Sequence, residues 1–303
     1  MQAAILGGWG WPELSDGGWS AIRFLYGCLL GAHLILALPQ WRRFFQSERW
    51  GGYAASSRRV DTLQNPFVMP LVLAGWMAAA ALIAANVYVV WASLASLLLS
   101  RELFVAMRWR GVLRGMGAPG FMTFWLGAVV FSQALAREHA PDQTGLALLV
   151  AQVDFALIFL SAGTYKLISG YRKNYGVDLG MANPQWGYAW RRVLRIPPQH
   201  WSLRTLNQLG WASEIVSAVL MVIPATRFIG GALLIAIFAL IRLQIRLGVL
   251  CEMVMLVGLL YFTAGSAGDD ALVWLFSWVP QARPESSGSG SLSGVVEPLL
   301  WAY

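Results

Sequence analysis

The chain has 303 residues, 57% of them hydrophobic and 12% charged, a balance that excludes an ordinary water-soluble domain, which cannot bury so much apolar surface. Its formal charge of +7 does not point to nucleic acid, because the arginines form no single solvated stripe with interleaved aromatics. They fall between apolar runs, as in the loops of a membrane protein, and the sixteen tryptophans fit that class because indole rings favour the boundary between hydrocarbon and water.

Residues 1–18 carry no basic group ahead of an apolar stretch, so they lack the charged start of a cleavable signal peptide, and the first apolar run is expected to be retained. Crossing the hydrocarbon core takes about 20 apolar residues in a helix. On that length the sequence divides into spans at 19–39, 67–86, 87–107, 121–136, 146–168, 209–224, 228–247 and 249–264. The second and third come from one apolar run too long for a single helix, cut near Asn86. The predicted fold is therefore all-α, a polytopic transmembrane bundle of about eight spanning helices over residues 19–264. Residues 169–208, with Trp186, Trp190, Trp201 and several arginines, read as an interfacial or partly re-entrant segment. The tail, 265–303, holds a short apolar stretch at 271–279 and a Ser/Gly-rich stretch at 286–294 expected to be flexible.

Charge tests this division independently, since the spans were drawn on hydropathy alone. With both termini on the non-cytoplasmic side of an inner membrane, all of the 22 basic residues except Arg23, Arg137, Arg227 and Arg283 collect at inner loops and inner helix ends, as the positive-inside rule requires. One missed span would invert every later loop.

Charges inside the spans mark candidate sites, because each costs about 2.5 to 3.5 kcal/mol at mid-bilayer unless it is paired or wetted. Arg101, Glu102, Lys166, Glu214, Arg242 and Glu252 are all expected at one level in the cytoplasmic half, with Arg242 paired to Glu214 or Glu252. Such a pocket suits an anionic headgroup, a carboxylate or a quinone oxygen. Asp154 lies higher and apart. Of the three histidines, His139 and His200 fall in loops. His33 sits within the first span after Gly31 and Ala32, where it either makes a helix-packing hydrogen bond or acts as an axial ligand to a tetrapyrrole. Cys28 and Cys251 both lie in apolar runs, which indicates neither a disulfide framework nor a metal site.

The run Ala162, Gly163, Thr164, Tyr165, Lys166, Leu167, followed by Tyr171 and Gly176, resembles the transmembrane domain shared by vitamin K-dependent gamma-carboxylase and its bacterial relatives, the HTTM domain. There an Ala-Gly-x-x-Lys-Leu run precedes a similar loop. A second stretch, Glu214, then Arg227, Ile229 and Gly230, then Gly248, fits further on. The resemblance extends over residues 17–264 in architecture and implies that Lys166 would be a base acting on a reduced quinone-like molecule. The chain departs from the pattern at Tyr165, where the carboxylase has a lysine, and at Phe238, where it has a histidine. It also holds no large soluble domain to bind a propeptide, and the arginines place Lys166 on the opposite side of the membrane. Gamma-carboxylation of a protein is therefore not expected.

Three functions remain open. The chain binds a lipophilic or quinone-like molecule or serves as a subunit of an electron-transfer or light-harvesting complex; or it is an enzyme with Lys166 as base; or it is a transporter. The substrate- or lipid-binding residues are expected to be Glu214, Arg242, Glu252, Tyr165 and Arg172. The expected partners are membrane lipids and other membrane subunits.

Overall fold

The structure, a computed structural model, describes residues 11–52, 54–106 and 117–280. Its long helices are α1 (Asp16–Ala37), α2 (Val68–Ala85), α3 (Val89–Ser100), α4 (Gly117–His139), α5 (Thr144–Ser169), α6 (Trp201–Val222), α7 (Arg227–Gln244), α8 (Leu250–Leu259) and α9 (Ala267–Leu275). Among the described residues the only extended pairing is two isolated bridges, so the all-α expectation holds. The first ten residues, Arg108, Arg110, Arg114, Arg283 and the stretch 286–294 lie outside the described residues.

Among the described residues four helical stretches are long and apolar enough to cross a membrane: Asp16–Phe45, Val68–Ala85, Pro141–Ser169 and Pro224–Gln244. The other four predicted spans coincide with helices that fall short of that combination. Two are brief, α3 with 12 residues and α8 with 10. The other two are long but mixed: α4 is interrupted by Gln133 and ends on charged residues, and α6 carries Arg204, Asn207, Gln208 and Glu214 along its length. Only 28 to 39% of the four apolar stretches is buried, so most of their surface faces outward. Leu36, Leu71, Trp91, Ile168 and Leu243 are each more than 60% exposed. Water would not tolerate such continuous apolar faces; lipid would.

The chain forms two compact units. The first comprises Asp16–Thr144, Gly248–Met253 and Leu272–Tyr303. Here α2 ends where the sequence predicts, at Asn86, which takes the left-handed conformation (φ +62°) and closes the helix with its N–H on Ile83 O. Tyr88, also left-handed, opens α3, which runs on into a π-helical turn at Arg101–Ala106. Helices α1 and α2 touch at Gly27, where a Cβ would fall 2.6 Å from Ala80 O and 2.7 Å from Ala84 N. One turn earlier Arg23, fully buried, reaches the end of α2. Its guanidinium donates to Ile83 O, to Ala84 O at 2.9 Å and to Pro280 O at 2.9 Å. Ile83 O and Ala84 O belong to the last turn of α2, which carries the negative pole of the helix dipole. Trp76 Nε1 donates to Ser96 Oγ at 3.2 Å, joining α2 to α3, and Tyr26 OH donates to Thr123 O at 3.3 Å, joining α1 to α4.

The second unit comprises Met1–Ser15, Gly145–Leu247 and Val254–Ala271. Close approach again depends on small residues. A Cβ on Gly230 of α7 would meet Met221 N of α6 at 2.7 Å, and Ser217 Oγ donates to Gly230 O at 2.8 Å beside it. A Cβ on Gly231 would likewise meet Gly258 O at 2.6 Å. Gln152 of α5 donates to Leu260 O at 2.7 Å and accepts at its own carbonyl from Tyr261 OH at 2.7 Å, a reciprocal link between α5 and the chain after α8.

Candidate functional site

In the second unit α5 and α6 bring two opposite charges together. Gly163 and Lys166, three residues apart, lie on one face of α5. A Cβ at position 163 would sit 2.8 Å from Ile215 Cγ1 and 3.1 Å from Glu214 Cβ, so glycine sets the spacing at which the Lys166 ammonium reaches Glu214. Lys166 Nζ donates to Glu214 Oε1. The glutamate side chain is 2% exposed and the lysine side chain 26%. Among the described residues Glu214 Oε2, also buried, has no hydrogen-bond partner.

The segment after α5 docks on α6 because the first half of α6 is polar. At Gly170 the backbone turns with φ +123°, a short helical turn follows at Tyr171–Lys173, and Asn174 is left-handed. Asn207 Oδ1 accepts from Val177 N at 2.8 Å, and its Nδ2 donates to Asp178 Oδ1 at 3.2 Å. Gln208 Nε2 donates to Asn174 Oδ1 at 3.0 Å and to Arg172 O at 3.2 Å, while Trp211 Nε1 holds Gln208 Oε1 at 3.0 Å. The Tyr171 ring is clasped by two glycines. A Cβ on Gly176 would fall 2.5 Å from it and one on Gly210 3.5 Å. Lys166 Nζ lies 5.6 Å from the centroid of that ring, within cation–π range. Burial, and then the charges of Glu214 and Asp178, push the Tyr171 phenol above its ordinary value, so the phenol stays protonated and neutral at physiological pH.

The expected pairing was of Arg242 with Glu214 or Glu252; in the structure Lys166 takes Glu214. A backbone bridge joins Gly187 to Ile245, with Tyr188 N donating to Gln244 O at 3.2 Å and Arg246 N to Trp186 O at 2.7 Å. That bridge puts Tyr188 beside the end of α7, where Arg242 donates to the Tyr188 hydroxyl and Arg246 lies 4.9 Å from its ring centroid. Glu252 is half-buried in the first turn of α8 and belongs to the first unit. Glu102 binds Arg59 at 2.7 Å. Tyr165 is 72% exposed and Arg172 is exposed, so neither is buried with the Lys166–Glu214 pair. His33 is half-buried on α1, and the described residues hold no group of three or more metal-binding side chains.

Asn207, Gln208 and Asp178 were not singled out by sequence reading, although a paired amide opening an otherwise apolar helix was the available signal. Filling the contact between α5 and α6 tests the architecture. Gly163→Val should destabilise the protein by about 2 kcal/mol through overpacking and separate Lys166 from Glu214. Gly75→Val, at a site where a Cβ meets nothing within 4 Å, serves as the control. Equal unfolding midpoints for the two variants in detergent would show that the close contact does not matter.

Fold and site together define a class: a helical protein with, among the described residues, four candidate membrane-crossing helices and a lysine paired to a buried glutamate beside the Tyr171 ring. Compared with models of known protein families, with curated proteins and with solved structures, the chain finds no match.

Proposed function

We propose that the chain is a multi-pass inner-membrane protein of eight spans and HTTM-like architecture, which binds a lipophilic molecule with a polar, quinone- or lipid-like head at Lys166 and Glu214. The observation that carries this reading is Glu214 Oε2, a buried carboxylate oxygen without a hydrogen-bond donor. Leaving such an atom unsatisfied costs about 1 to 3 kcal/mol or more, and a hydroxyl on the ligand head would recover it. Lys166 offers the complementary donor for a carbonyl or ionised oxygen, and the neutral Tyr171 ring forms the adjacent wall. The outward apolar faces of the long helices and the arginine distribution support the eight-span topology with both termini outside. Lys166 Nζ is already engaged as a donor to Glu214 Oε1, the arrangement of a group that holds a polar head. Binding is therefore favoured over carboxylase-like catalysis. A role as a complex subunit is compatible with the same site.

The full chain purified in mild detergent should carry a lipophilic compound in near-stoichiometric amount, identified by solvent extraction and mass spectrometry. Glu214→Gln and Lys166→Met should each lower its occupancy about tenfold, the value of a hydrogen bond to a charged group. Occupancy unchanged in both variants would remove the pair from the site.

A further inference from the structure

The segment between the two polar halves of the second unit has a charge pattern that the Lys166 site does not use. From residue 179 to residue 213 there is no aspartate or glutamate, while Arg191, Arg192, Arg195 and Arg204 all fall within it. All four of these arginines are exposed. Large apolar side chains stand out between them, with Leu194 62% and Trp201 72% exposed. The Tyr188 bridge adds Arg242 and Arg246, which face one aromatic ring from a single helix end.

Its position decides between partners. Two of the four apolar helices, α5 and α7, end near this segment: α5 ends at Ser169, with residues 170–178 between, and the end of α7 is bridged to it through Ile245 and Gly187. A basic surface at the place where apolar helices terminate lies at headgroup depth, where tryptophan, tyrosine and arginine are favoured. Nucleic acid would need the same charge without the apolar exposure between the arginines.

We infer that this segment, together with the Tyr188, Arg242 and Arg246 cluster, is a docking surface for the phosphate headgroups of anionic phospholipids. Guanidinium groups bind phosphate oxygens in a planar, two-pronged geometry. The exposed leucine and indole side chains seat in the acyl boundary beside them. The inference rests on the membrane reading above but not on the Lys166 site.

The test uses the full chain, delipidated in neutral detergent and offered phosphatidylglycerol or phosphatidylcholine at equal concentration, with retained lipid counted by native mass spectrometry. Phosphatidylglycerol should be retained about tenfold more strongly. Arg246→Gln should weaken it about fivefold, the value of one basic residue near an anionic surface, and adding Arg191→Gln and Arg192→Gln should bring the two lipids level. Equal retention of both lipids by the unaltered chain would overturn the inference while leaving the membrane reading intact. Displacement of phosphatidylglycerol by millimolar inorganic phosphate, or by a short DNA duplex, would also overturn it, in favour of a small-anion or nucleic-acid site. A chain that stays soluble without detergent and retains neither lipid would overturn both readings.

Discussion

Lys166→Met is expected to lower the unfolding free energy by about 3 kcal/mol, more than the loss of a single hydrogen bond. Removing one member of a buried pair leaves the other as an uncompensated charge in a poorly solvated place. Glu214, 2% exposed, cannot recover water when its partner goes. The double variant Lys166→Met with Glu214→Gln should regain most of that loss, because it leaves no lone charge behind. A cycle of the two single variants and the double, followed by thermal unfolding in detergent, measures the coupling directly. Additive losses would mean that the two side chains do not depend on each other, and the pocket built on them would go too. Glu214→Gln alone should cost less than Lys166→Met. The lysine keeps about a quarter of its side-chain surface and its long stem can turn the ammonium toward solvent or headgroups.

Arg23→Met should be at least as damaging, and in the first unit instead. Three carbonyls, those of Ile83, Ala84 and Pro280, accept from one guanidinium. Hydrogen bonds to a charged group contribute about 1.5 to 3 kcal/mol each, and the methionine would fill the space without replacing any donor. A loss of about 4 kcal/mol is therefore expected. Arg23→Lys should fall between, since one ammonium keeps the charge but lacks the planar fork that serves several acceptors at once. The informative readout is labelling of a cysteine placed at Ala84, half-buried beside the guanidinium, which should become more reactive in Arg23→Met. A variant as stable as the parent, with position 84 no more reactive, would show that Arg23 is a passenger.

Much of the architecture was legible because the hydrophobic pattern is strong and local. The apolar runs became helices, and the cut at Asn86 fell at a left-handed cap because asparagine tolerates that conformation and closes the helix behind it. Where the count of clear spans differs, the cause is length in α3 and α8 and composition in α4 and α6. In α6 the amides and Glu214 that dock the loop dilute the apolar signal of a helix 22 residues long. The site was half legible. Lys166 and Glu214 stood out as charges within apolar runs, but their pairing did not, since depth along a helix says nothing about azimuth. Arg242 looked an equally good partner for Glu214, and only the structure shows that Lys166 takes it while the Gly187–Ile245 bridge, across 58 residues of sequence, sets Tyr188 beside Arg242.

The amino-acid sequence by itself determined that this chain is helical, that its long apolar faces look outward, and which few charges lie within them. Those properties depend on period and composition, which are set residue by residue. Only the tertiary structure decided that Lys166 meets Glu214, that Arg23 reaches the end of a neighbouring helix, and that the Tyr171 ring lies beside the lysine. Each of these depends on how closely two backbones approach. That distance is fixed where Gly27 and Gly163 remove a side chain between helices far apart in the sequence.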